Sequence, residues 1–321
     1  MTDPSTLSAD LDDDAALELR RALSTPPRVI PPRWLYDERG SSLFTEITRL
    51  PEYYQTEAER EILVANAAGL AEVSEARTVV ELGSGSSDKT RTLLDAFVAH
   101  GERGRFVPLD VSAETLGQAA TELRERYPGL EIDPVVGDFT RHLNRPPSGD
   151  RKLVLFLGGT IGNFYVEQRR AFLGALGDVL LPGDSVLVGV DLVKPIDRLI
   201  AAYDDSAGLT EAFIRNALAN INRTYQGDID VGNFGYVPFW DGRQERIDMR
   251  LRALEPEHAR LDVLDLELDL MAGEELRVEI STKFRLDRFV GELEDSSFED
   301  VEWFTDSAGE FALVLARRRD L

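Results

Sequence analysis

The chain has no cysteine among its 321 residues. Disulfides, thiolate nucleophiles and zinc–thiolate centres are therefore excluded, and the count suits any redox compartment. Histidine is nearly as scarce: His100, His142 and His258 lie far apart, without the spacing that holds a transition metal, so no metal is expected. No apolar run approaches the ~18 residues needed to cross a bilayer. The N-terminus, MTDPSTLSADLDDDAALELRRAL, is acidic and lacks an apolar h-region. Positive charge is also short, with 36 lysines and arginines against 59 aspartates and glutamates and a formal net charge of −23. That balance repels phosphate backbones and anionic lipid headgroups, which disfavours nucleic-acid and membrane partners. A soluble, cytoplasmic protein is the expectation.

Apolar residues make up 43% of the chain, enough to fill two modest cores or one large one. From Thr78 to Asp191 one theme repeats: a short apolar run, a turn, then an amphipathic helical pattern. The runs are TVVEL, RFVPLD, IDPVVGD, KLVLFLG and DSVLVGVD. Such alternation predicts parallel strands joined by crossover helices, a doubly wound α/β sheet with ligands at the carboxyl ends of its strands. The flanks differ. Residues 1–60 are helical and proline-rich, and beyond Asp191 two helical patterns precede ERIDMRLRAL, ARLDVLDLELDLM and LRVEISTKF, whose period-2 alternation suits antiparallel strands. Two domains are expected: 61–193 with 287–321 forming the Rossmann-like sheet, and 1–60 with 194–286 forming an inserted α+β domain. The closing segment, FEDVEWFTDSAGEFALVLARR, reads as a hairpin returning to the first sheet.

The first strand runs into a glycine turn, VVELGSGSSDKT. Gly83 and Gly85 can take positive φ and let a ligand approach the backbone. A dinucleotide fingerprint would need a third glycine where Asp88 stands, and Asp88 suits a helix N-cap better than a pyrophosphate. The second strand ends in Asp110, where a carboxylate can accept the hydroxyl protons of a ribose. The third ends in Gly137-Asp138-Phe139, an acid for an adenine amino group and an aromatic for its ring. In this order the features resemble a class I S-adenosylmethionine-dependent methyltransferase.

Flanking segments narrow the resemblance. LPEYYQTEAE, ELGSGSSDKT, FLGGTIGNF, AYDDSAGLT, ERIDM and VEISTKF together resemble the histidine-specific methyltransferases of ergothioneine biosynthesis, which trimethylate the α-amino group of L-histidine to hercynine. The resemblance implies S-adenosylmethionine as co-substrate, contacted by Gly83, Lys89, Asp110, Asp138 and Phe139. It implies that Asn163 and Tyr203 hold the substrate carboxylate and place the amine, that Tyr53, Glu279 and Ser281 hold the imidazole, and that Met249 lines the side-chain pocket. Tyr36 and Phe44 would close that pocket, and Tyr36, Tyr203 or a water held by Asn163 would assist loss of the amine proton. A monomer with L-histidine as its partner is expected.

The residues alone leave other readings open. Glu279 and Ser281 share one strand face about 6.5 Å apart, which would bracket an imidazole or equally form a solvated face. Asn163 fits a turn, Tyr203 a helix residue with its hydroxyl in water, and Met249 plain core beside Ile247 and Leu251. Periodicity cannot choose between Tyr53 and Tyr54. Two rival functions also stand: a methyltransferase of this fold acting on another amino acid or small amine, and a non-catalytic S-adenosylmethionine-binding protein.

Overall fold

The computed structural model of the protein describes residues 4–99, 104–137 and 151–320, with side chains from residue 14 onward. It divides into two compact units, one of Met1–Tyr54 with Pro195–Ser281 and one of Gln55–Lys194 with Thr282–Leu321. The first division falls at 54/55 rather than 60/61. Gln55 opens a helix, Gln55–Ser74, whose Ala58, Ile62 and Leu63 join the core beneath the parallel sheet, so the whole helix belongs there.

The sheet begins with β1 (Thr78–Leu82), β2 (Arg105–Asp110), β3 (Glu131–Ile132), β4 (Val135–Val136), β5 (Lys152–Phe156) and β6 (Ser185–Asp191). The chain then builds the other unit, with β7 (Phe234–Asp241), β8 (Arg246–Ala253), β9 (Glu257–Leu261), β10 (Leu266–Leu270) and β11 (Glu275–Thr282). It returns with β12 (Phe298–Thr305) and β13 (Phe311–Arg318). The large sheet has the order β12-β13-β6-β5-β1-β2-β3, with β4 also on β2. Pairing is parallel from β3 to β6, whereas β13 runs antiparallel to β6 and β12 antiparallel to β13. The expected closing hairpin is therefore present, with β13 inserted between β12 and β6.

Side-chain alternation sorts this sheet into two buried faces. Val80, Val154, Phe156, Val186 and Val188 belong to one core, and Val79, Phe106, Leu153, Leu155 and Leu187 to the other. The run IDPVVGD, read as one strand, is two short ones, β3 and β4, both on β2. Pro134, which has no N–H for the ladder, lies at the break.

The other unit carries a three-stranded sheet, β11-β8-β7, and a hairpin of β9 and β10. ARLDVLDLELDLM is not one strand: a 3-10 turn at Asp262–Leu264 and a left-handed Asp265 (φ +45°) reverse the chain. β7 was not legible, because Pro238 interrupts its pattern. As the edge strand it tolerates proline.

Asp191 ends β6, only 3% exposed. Its carboxylate accepts hydrogen bonds from Lys283 Nζ (2.7 Å) and Gln55 Nε2 (3.3 Å) and pairs with Lys194. Gln55 and Lys194 are the first and last residues of one stretch of this unit, and Lys283 follows the residue that opens the next. Main-chain bonds reinforce the junction, from Phe284 N–H to the Asp191 carbonyl (2.8 Å) and from Val193 N–H to the Phe284 carbonyl (3.0 Å). Burial raises the Asp191 pKa, but the ammonium groups of Lys283 and Lys194 more than offset it and hold the carboxyl below its ordinary value. Burial meanwhile pulls Lys194 down to about 8, against the pull of Asp191. Removing one partner of a buried pair leaves charge without its counter-charge, which costs about 3–5 kcal/mol. Asp191→Ala should lose stability on that scale in denaturant titration, and a midpoint equal to wild type would refute the clamp.

Candidate active site

β1 delivers the chain into its glycine turn at the carboxyl end of the sheet. Gly83 (φ +71°) and Gly85 (φ +50°) are both left-handed, the conformation that favours glycine. The amides of Gly83 and Ser84 donate to the Leu109 carbonyl at 2.8 and 3.0 Å, which folds the turn over the end of β2. Asp110 fixes it from below: Oδ2 accepts from Gly85 N–H (2.8 Å) and Oδ1 from Ser112 N–H (2.9 Å). Each oxygen keeps a lone pair for a ligand hydroxyl. A Cβ added to Gly85 would meet nothing within 4 Å, so space lies open above the turn. Beside it the Ser84 hydroxyl is buried without a hydrogen-bond partner among the described residues, the kind of orphan a bound ligand satisfies. These groups fit a nucleoside cofactor. Asp88 is no N-cap: the helix starts at Thr90, and the Asp88 carboxylate accepts from Ser86 Oγ at 2.8 Å.

Glu81, in the middle of this motif, was not among the expected site residues. It is buried in β1 and accepts from the hydroxyls of Ser87 (3.1 Å) and Thr90. Burial raises its pKa to about 7, against those two hydroxyls and Lys89. Lys89 itself pairs with the buried Glu59. Asn163 ends a 3-10 turn, Thr160–Asn163, entered through two left-handed glycines, Gly158 (φ +76°) and Gly159 (φ +67°). The small Gly159 is thus the residue this turn requires. Asp138 and Phe139 lie outside the described residues, as do His100 and His142.

The other unit gathers the remaining candidates. Tyr203 is 8% exposed, in the turn after the Ile196–Ala201 helix, and its hydroxyl shares a 2.7 Å hydrogen bond with Ser281 Oγ. It is therefore not a helix residue with its hydroxyl in water. The Tyr236 hydroxyl donates to the Tyr203 carbonyl (2.7 Å), and Asp205 accepts from the amides of Leu209 and Thr210, which fixes the turn on both sides. Glu279 and Ser281 are 8% and 6% exposed, so their face of β11 is not a solvated one. Met249 is 2% exposed in the same core as Tyr203.

Aromatic rings surround this point. Tyr53 meets Tyr203 edge-on (6.2 Å between centroids), Phe44 meets Tyr53 (6.2 Å), and Tyr36 meets Phe44 (5.9 Å) and Phe213 (5.4 Å). Tyr54 points elsewhere, under the Arg198 guanidinium at 4.4 Å, which separates the adjacent tyrosines. Tyr36 and Phe44 are held by Asp37, which caps the Glu38–Ile47 helix through Gly40 N–H (2.7 Å) and accepts from Asn216 Nδ2 (2.7 Å). Burial, then the charge of Glu279, raises the Tyr36 pKa well above its ordinary value. With 40% of the residue still accessible, solvent moderates the burial, but the charge acts in the same direction. Tyr36 is accordingly a protonated phenol near neutrality. Phe213 and Tyr236, which also pack at this point, were not singled out in the sequence.

The strand order and the glycine turn followed by Asp110 define a class I methyltransferase fold. The profile described as "Histidine-specific methyltransferase, SAM-dependent" matches residues 15–318. The chain belongs to that family. It is 49% identical over 310 residues to the histidine N-alpha-methyltransferase of Mycolicibacterium smegmatis, covering 95% of this chain and 97% of that one. The corresponding Mycobacterium tuberculosis protein is likewise 49% identical, over 96% and 97%. Ergothioneine biosynthesis protein 1 of Neurospora crassa is 36% identical over 61% of this chain and 23% of its own length. Among the described residues no helix is long and apolar enough to cross a membrane, and no group of three or more His, Asp or Glu could hold a metal.

Glu81 yields a pH test. Its folded pKa of about 7 lies above the ordinary 4.5, so its contribution is complete below pH 4.5 and is lost as pH rises through 7. Glu81→Gln removes that titration while presenting to Ser87 and Thr90 one acceptor oxygen and one donor, as the protonated acid does. Relative to wild type, the variant should gain roughly 3 kcal/mol in urea denaturation between about pH 4.5 and pH 8. A difference that does not change with pH would contradict a protonated Glu81.

Proposed function

We propose that the protein transfers the methyl group of S-adenosylmethionine to the α-amino nitrogen of L-histidine, three times in succession, to give hercynine in the first step of ergothioneine biosynthesis. The carrying observation is the buried pair Glu279 and Ser281 on β11, set with Tyr203 and the aromatic cluster in a chain of the histidine-specific family. A buried carboxylate suits the N–H of an imidazole, and a hydroxyl two residues along serves the other nitrogen in either hydrogen-bonding sense. Tyr53 and Met249 complete the side-chain pocket in this reading, and Asn163 with Tyr203 holds the carboxylate. Tyr203, bonded to Ser281, keeps further hydrogen-bonding capacity for that contact. Gly83, Lys89, Asp110, Asp138 and Phe139 hold the cofactor, the orphaned Ser84 hydroxyl adding to them.

S-adenosylmethionine supplies an electrophilic methyl on a sulfonium. The task of the chain is placement, holding the nitrogen lone pair in line with the bond that breaks. The amine must be neutral, yet an α-amino group has a pKa of about 8 even in a peptide, so much of it carries a proton at neutral pH that must be shed before transfer. Tyr36 stays a phenol, so it orients the amine or passes its proton onward rather than acting as a standing phenolate base. Each methyl added removes an N–H, and in the last product that nitrogen can no longer donate a hydrogen bond. The faces of Tyr36, Phe44, Tyr53 and Phe213 then offer the cation a favourable surface that needs no donor.

Incubation with S-adenosylmethionine and L-histidine should give a product heavier by three methyl groups in mass spectrometry. Methylation of another amino acid in place of histidine would overturn the substrate assignment. Glu279→Ala should raise the histidine KM about 10- to 100-fold, the value of a charge-assisted hydrogen bond, and leave cofactor affinity within about twofold. Equal losses for both ligands would mean that Glu279 supports the fold instead.

A further inference from the structure

The segment LPEYYQTEAE ends in Glu59, a residue to which the proposed reaction gives no task. Glu59 lies on the Gln55–Ser74 helix and is 0% exposed, yet it is a carboxylate. Its two oxygens serve two different loops. Oε2 pairs with Lys89, in the turn after β1, and Oε1 accepts the Gly158 amide at 2.7 Å, in the turn after β5 that ends at Asn163. β1 and β5 are neighbours at the centre of the sheet, where the strand order reverses and open α/β sheets bind their ligands. A third strand makes room for the same group: a Cβ on Gly189 of β6 would collide with Glu59 Oε1. The two loops also touch beside this carboxylate, a Cβ position on Gly158 lying 3.6 Å from Lys89 Nζ.

A buried ion pair is a weak device for stability, because desolvation consumes most of its Coulombic gain. What such a pair fixes is geometry, and this one fixes two loops relative to one point. We propose that Glu59 is a positioning residue for methyl transfer, its single carboxylate orienting Lys89 toward the cofactor and setting the Gly158–Asn163 turn for the substrate. The proposal rests on the reading above, in which Lys89 contacts the cofactor and Asn163 the substrate.

The two oxygens can be separated. Glu59→Gln keeps a carbonyl oxygen for the Gly158 amide but presents an amide to Lys89 without the negative charge. Glu59→Ala removes both contacts. Isothermal titration of the full-length protein with S-adenosylhomocysteine, and with L-histidine in the presence of saturating S-adenosylhomocysteine, reads the two loops independently. Glu59→Gln should weaken S-adenosylhomocysteine about tenfold and leave histidine within about threefold, as expected for loss of one charge-assisted contact. Glu59→Ala should weaken both. In a Lys89→Met background Glu59→Gln should have no further effect on S-adenosylhomocysteine, a coupling that a purely structural role would not produce. Unchanged S-adenosylhomocysteine affinity in Glu59→Gln, or additive losses in the double variant, would overturn the proposal even if Glu59→Ala failed to fold. Failure of the wild-type protein to bind histidine would instead refute the substrate reading, leaving the Glu59–Lys89 arm to be judged on S-adenosylhomocysteine alone.

Discussion

One buried carboxylate, Asp191, governs how the parallel-sheet unit is closed. One of the unit's two stretches begins and ends at the Asp191 partners Gln55 and Lys194, and Lys283 is the second residue of the other. A β-strand end is ordinarily a solvated place. Here two ammonium groups and an amide are drawn into the interior, so the backbone around them has few alternatives. The Gln55–Ser74 helix, the exit from β6 and the entry to the Leu286–Asp295 helix consequently share one origin. Loops that begin from fixed points can hold reacting groups to the sub-ångström tolerance that methyl transfer demands.

The units present different chemistry. Around the glycine turn, backbone amides and carbonyls dominate, with Asp110 and Glu81 as the acids that organise them. Around Tyr203, side chains dominate: phenols, phenyl rings, one carboxylate and one serine. Backbone groups recognise what all substrates of a fold have in common, whereas side chains can vary without disturbing the sheet. In the reading proposed above, the generic chemistry belongs to the Rossmann-like unit and the choice of substrate to the other.

The parallel sheet was legible because both of its faces are buried, so each strand reads as an unbroken apolar run between turns. The failures have local causes. IDPVVGD looked continuous because one proline does not alter hydropathy, though it halts the ladder. β7 was hidden by Pro238, and ARLDVLDLELDLM gave no sign that Asp265 would turn left-handed. Asp110 was singled out from its place at a strand end, whereas alternation alone left the face of Glu279 and Ser281 open between an imidazole site and solvent, and only the family resemblance chose. Phe213 was not singled out, since a phenylalanine on an amphipathic helix reads as core, and nothing local shows that its ring will meet Tyr36 and Phe44. Glu59 and Glu81 were not singled out in the sequence. The partners of Glu59 come from distant loops that no window of sequence contains, whereas Ser87 and Thr90, the partners of Glu81, stand in the same motif and become partners only once the glycine turn folds back.

The close approach of Gly189 to Glu59 has a consequence for how this chain can drift over generations. A larger residue at 189 displaces the carboxylate, and a shorter one at 59 leaves a hollow above the glycine. Neither position can therefore explore alternatives alone. Among descendants of this sequence the two should be inherited as a unit, a helix and a strand that behave in the genetic record as one locus.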